Sequence, residues 1–178
     1  SSQWADLSSN KPLWAASTLT AMSNIVIPRF GELLGPFISQ VPPEISPRFL
    51  ALLERGAASR YRGWAEMLPE HAEGLLRCAE AEDEIANRIE AAFDMDESRR
   101  AELEAPLPGA LKTYYDVFAP LDVWDQLRIQ ANAERQGAGA WERIASSHPN
   151  PKVIEVLNSC SELELTSADY LDALLAEH

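Results

Sequence analysis

Three stretches of the chain carry apolar residues at helical spacing, and each breaks its own pattern once. Between residues 150 and 175, Ile154, Leu157, Cys160, Ala168, Leu171 and Leu175 fall on one stripe. Glu164 occupies the slot where the next apolar residue belongs, and Ser167 follows one turn on. In residues 70–95 the series Leu75, Ala79, Ala86, Ile89 and Phe93 skips Glu82. In residues 122–146 the series Trp124, Leu127, Ala131, Ala138, Trp141 and Ala145 skips Glu134. Each skipped slot lies near the middle of its helix. Packed as bundle members, the three helices would turn three carboxylates inward.

The remaining pattern is also helical. A stripe from Lys11 onward runs through Leu19, Met22, Val26, Phe30 and Leu33, with Pro28 placed to kink or split it and Gly35–Pro36 placed to stop it. Ser46 and Pro47 read as the N-cap and first position of a helix carrying Phe49, Leu50, Leu53 and Ala57 and continuing toward Trp64. Pro69 either ends or kinks it. Residues 94–109 are charged, then proline-rich, and read as a solvated connection. Residues 109–120 form an amphipathic helix. Asn150 and Pro151 mark the start of the last helix, and the short loop before it makes the last two helices antiparallel neighbours. No stretch alternates as a strand. The expected fold is all-α, an antiparallel four-helix-type bundle with extra N-terminal helices: residues 1–69 form a helical arm packed on the bundle, and 70–178 its core.

At 178 residues the chain can bury a substantial core. Its 28 acids against 15 bases give a formal charge of −13, which argues against nucleic-acid binding and against an anionic membrane surface. The expected partner is a second copy of the chain or another protein. Cys78 and Cys160 both fall on apolar faces and read as buried thiols. Cytoplasmic placement is the default expectation; the chain opens at Ser1 rather than Met, so a removed leader is left open.

An inward carboxylate must pair, ligate a metal or take up a proton. The plain alternative is an outward acid: Glu134 paired with Arg128 or Arg135, Glu82 with Arg88, and Glu164 reaching solvent. Arg60, Arg62 and Trp64 read as a solvated helix face, and Arg99 and Arg100 as counter-charges to their linker's acids. Gly137 and Gly139 permit close helix approach or leave room for a ligand beside Glu134. Tyr114, Tyr115, Trp124 and Trp141 are core aromatics or one wall of a ligand site.

The segments AERQGAGAWERIA (133–145), LELTSADYLDALL (163–175) and CAEAEDEIANRIEAAF (78–93) resemble helices of the ferritin-like and rubrerythrin-like superfamily. The resemblance implies a helical bundle in which Glu82, Glu134 and Glu164 ligate iron or manganese. That superfamily places a His three residues after some of its ligand Glu residues. Here those positions hold Ile85, Gly137 and Ser167, and His71, His148 and His178 lie elsewhere. The departure argues against a standard two-iron site. A fourth carboxylate has no evident position, since Glu32 sits off its stripe. The expected function is a ferritin-like protein with a degenerate inward carboxylate cluster, metal-binding or oxidoreductase-related. The alternatives are a non-catalytic interaction subunit, and a bundle holding a small apolar ligand between Trp141, Tyr115 and the glycine-rich face.

Overall fold

The computed structural model describes residues 25–178, which are all-helical with no strand among them. Seven α-helices follow in order: α1 (Phe30–Ile38), α2 (Ser46–Met67), α3 (Ala72–Ala92), α4 (Arg100–Glu104), α5 (Leu107–Phe118), α6 (Val123–Ser147) and α7 (Pro151–Glu177). The part of the N-terminal stripe that precedes residue 25 lies outside the described residues.

The termini show which signals govern. Asn150 Oδ1 accepts from Lys152 N at 3.0 Å with Pro151 in the first turn, and Asp122 Oδ1 accepts from Asp125 N at 2.9 Å. Pro28 lies in the non-helical lead-in to α1. Gly35 and Pro36 do not stop α1, which runs on to Ile38. Burial of Phe30 and Leu34 outweighs the single hydrogen bond that Pro36 removes. Ser46 is not an N-cap either. A 3-10 turn, Pro43–Ile45, leads directly into α2, and the Ser46 hydroxyl donates back to Pro43 O at 3.1 Å. Pro69 ends α2 and opens a second 3-10 turn, Pro69–His71. The connection after α3 is more ordered than its charge implied, because Leu103 of α4 is buried and anchors it.

The four long helices pair in sequence order. α2 runs against α3, with Arg48 Nη1 donating to Glu90 O and Arg62 paired with Asp83. α6 runs against α7, with Ser161 Oγ donating to Glu142 Oε1 and Arg135 paired with Asp172. In both pairs one partner's number rises as the other's falls, so both are antiparallel. α3 and α7 pack on each other, and Arg88 Nη1 donates across that contact to Ser159 Oγ at 3.0 Å. α2 and α6 meet mainly through side chains, such as Trp64 Nε1 donating to Gln126 Oε1 at 2.6 Å. α1 touches both of these helices and also α5, so it lies over the looser seam.

The apolar core falls into two parts. One gathers Phe49, Tyr61, Trp64, Leu75, Leu127 and Leu171; the other gathers Ile85, Ile89, Trp141, Leu157 and Cys160. Along α3 the division comes between Ala79 and Ile85, along α6 between Ala133 and Trp141, and along α7 between Cys160 and Leu171. Each interval contains one buried glutamate: Glu82, Glu134 and Glu164. Among the described residues no helix is long and apolar enough to cross a membrane.

Candidate metal centre

Glu82, Glu134 and Glu164 all point into the protein and are only 1%, 1% and 2% exposed. The arginines at pairing distance in sequence are engaged elsewhere: Arg88 with Glu84, Arg128 with Asp125 and Arg135 with Asp172. The outward alternative therefore does not hold for any of the three.

A fourth carboxylate joins them. Glu54, in the middle of α2, brings a carboxylate oxygen into a group with Glu82 and Glu164 whose oxygens lie within 4.8 Å of one another. The position has a signal in sequence. Leu50, Glu54, Ala57, Tyr61 and Trp64 share a helical face, with the acid inside the stripe. Reading the face through Phe49, Leu50, Leu53 and Ala57 leaves no skipped slot, and so hides it.

Glu134 adjoins this group and is the best supported of the four by hydrogen bonds. Its Oε1 accepts from the Tyr61 hydroxyl at 2.5 Å and from Gln130 Nε2 at 3.0 Å. Its Oε2 has no hydrogen-bond partner, and neither has Glu82 Oε2 or Glu164 Oε1, although all three atoms are buried. A buried oxygen left without a partner costs on the order of 1–3 kcal/mol, so each calls for a proton shared with a neighbouring acid or for a cation.

Gly137 explains how α7 reaches so close to α6. A Cβ there would lie 2.3 Å from Glu164 Oε2, so the Glu164 carboxylate rests against bare backbone. The space that the glycine opens is filled by an acid of the cluster itself. Ile85 and Ser167, at two of the positions where the resembled superfamily has His, are buried beside their glutamates and bring no imidazole.

Burial is the main force on the acids. It raises the Glu82 and Glu164 carboxyls well above the usual value near 4.5, and their neighbours in the cluster raise them further. Burial also raises Glu54, opposed by hydrogen bonds from the Glu82 and Glu164 carboxyls and, less, by Arg60. Two full charges at this range repel by on the order of 3 kcal/mol at an effective dielectric of about 20. A cation between them would remove that repulsion and supply the missing partner of each oxygen. Burial and the nearby Glu134 hold the Tyr61 hydroxyl well above its normal range, so it stays a donor. Cys78 and Cys160 are free and buried, with thiols pushed up to about 12 and about 11 by burial.

The donor set is entirely oxygen. Carboxylate oxygens suit hard divalent ions, and the lack of imidazole and thiolate disfavours zinc and copper. The residues fit a hard metal better than the two-iron pattern of the resembled superfamily.

Two aromatic readings change. Arg60 and Trp64 are buried rather than solvated; only Arg62 of that cluster is exposed, on Asp83. The Arg60 guanidinium makes no hydrogen bond and lies over the Tyr114 ring, 3.9 Å from its centroid. Tyr115 is 39% exposed and lines a surface pocket with Arg60 and Met67, so it does not face Trp141 as the apolar-ligand alternative required. Tyr114 lines the carboxylate cavity in its place. Trp124 stacks with His178, away from the acids. Arg99 and Arg100 do balance local acids, on Glu44, Glu102 and Glu97.

No protein-family model, curated protein or solved structure matches the chain.

Proposed function

We propose that the chain is a ferritin-like four-helix protein that binds a hard divalent metal, manganese or iron, through Glu54, Glu82, Glu134 and Glu164. One observation carries this reading: four glutamates, one from each long helix, line one cavity between two halves of an apolar core, and Glu82, Glu134 and Glu164 each keep a buried oxygen that has no basic or amide donor. The pairings of α2 with α3 and α6 with α7 support the four-helix arrangement. Ferritin-like dimetal proteins draw one glutamate from each of four helices in the same way.

An oxidoreductase role follows from this reading when the bound ion is redox-active, and manganese and iron are the two such ions that an oxygen donor set suits. Replacing two imidazoles by Ile85 and Ser167 leaves the ions more exposed to exchange, so binding should be weaker than in an intact Glu-x-x-His site. Elemental analysis of protein purified without chelator, followed by titration with Mn²⁺ and Fe²⁺, tests the proposal. Saturable uptake at a fixed stoichiometry, lost in Glu82→Gln, is the expected result. Absence of bound metal with no uptake on titration would remove it.

A further inference from the structure

The carboxylates form only one pole of a larger space. A cavity of about 140 Å³ extends from them beneath α1. The walls beneath α1 and along α2 are otherwise apolar, made by Phe30, Leu34 and Ile38 from α1 and by Leu50, Leu53 and Ala57 from α2, while α6 adds Gln130 and Gln136. Tyr114 contributes a ring face on the same side. An apolar cavity of about 150 Å³ stays dry and admits benzene. Two further atoms on the α6 wall, Gln130 Oε1 and Trp141 Nε1, are buried without hydrogen-bond partners.

We infer that this cavity is a binding site for a neutral, largely apolar molecule about the size of a substituted benzene, held against the carboxylate pole. The size follows from the volume and the apolar character from the walls. Neutrality follows from the pole. An anion would meet four acids, and an ammonium would compete with a metal for the same oxygens. The one basic residue in the lining, Arg143, is exposed at the rim. The unpaired acceptor on Gln130 and the unpaired donor on Trp141 each offer a hydrogen bond to a hydroxyl or carbonyl on the ligand.

Access runs past α1. The Gln136 side chain accepts from Phe30 N at 2.9 Å and donates to Pro28 O at 2.8 Å, fastening the start of α1 onto α6 at the edge of the cavity. Gly31, exposed and with nothing near the place of a Cβ, leaves the rim open beside that clamp. That the bound molecule is what the centre acts on rests on the metal reading; that it binds does not.

The test is a toluene titration of protein with ¹³C-labelled leucine methyls, with and without Mn²⁺, while manganese uptake is read separately by EPR. Saturable shifts at Leu34, Leu50 and Leu53 are expected, with affinity lowered at least about tenfold in Ala57→Leu, which fills the cavity. Leu34→Phe serves the same comparison from α1 should Ala57→Leu not fold. No saturable shift at these methyls up to the solubility of toluene would overturn the inference. Benzoate shifting them as strongly as toluene would overturn the assignment of a neutral ligand. Toluene binding without any manganese uptake would uphold the pocket and overturn the metal reading instead.

Discussion

The Tyr61 hydroxyl donates to Glu134 Oε1 at 2.5 Å, across the seam where α2 and α6 otherwise make little contact. The bond ties the carboxylate layer to the larger half of the apolar core. It also fixes which Glu134 oxygen stays free, because Gln130 donates to the same atom. Tyr61→Phe should destabilise the protein by on the order of 2 kcal/mol in urea unfolding at neutral pH, the loss expected when a buried acceptor is deprived of its donor. The same variant should bind Mn²⁺ more weakly, since Glu134 is then free to turn. Unchanged stability and unchanged affinity would show that the bond does no such fastening.

Gly137 and Glu164 should be thermodynamically coupled. Gly137→Ala raises helix propensity by about 1 kcal/mol but places a methyl group where Glu164 Oε2 now lies. In the native background the two effects should nearly cancel in stability, while metal affinity falls because Glu164 is displaced. In a Glu164→Ala background the same change should stabilise by about the full 1 kcal/mol. A double-mutant cycle measures the difference, and an additive result would contradict the contact.

The pH dependence of the metal-free protein should run opposite to ordinary acid denaturation. Glu54, Glu82 and Glu164 are raised in the folded state above the unfolded value near 4.5. Above that value the native state holds protons that the unfolded chain has released. Stability should therefore fall as pH rises from about 5 toward 8. Metal binds the deprotonated carboxylates, so saturating Mn²⁺ should reverse the slope. Thermal melts across this range, with chelator and with manganese, read both signs.

Removing one charge from the cluster should separate stability from binding. Without metal at about pH 8, Glu82→Gln and Glu164→Gln should each raise the melting temperature by several degrees, given roughly 2–4 °C per kcal/mol at this chain length. Each should also flatten the pH dependence and abolish manganese binding. A lower melting temperature without metal would mean that the acids are held by partners rather than repelling one another.

How much of this was legible in the sequence differs from helix to helix. Glu82, Glu134 and Glu164 each interrupt an otherwise regular stripe, and an interruption is visible because the apolar spacing resumes on both sides. Glu54 is a harder case. α2 is lined by small and mixed residues, including Gly56, Ala57 and Ala58, so its buried face is broad and an acid within it breaks no obvious series. The burial of Arg60 was hidden for a related reason. A guanidinium lying over the Tyr114 ring depends on α5 crossing α2, a long-range contact that no local pattern announces. Local chemistry was a good guide at Asn150 and Asp122, where the cap and its helix are neighbours in sequence. It was a poor guide at Ser46, where a 3-10 turn runs straight into the helix, and at Pro36, where burial of Phe30 and Leu34 carries the helix on.

The most direct test is an anomalous diffraction measurement on crystals soaked with Mn²⁺. The account predicts a manganese peak in the interior, within bonding distance of oxygens from Glu54, Glu82 and Glu164. An interior without any such peak, in crystals that show manganese elsewhere on the protein, would contradict it.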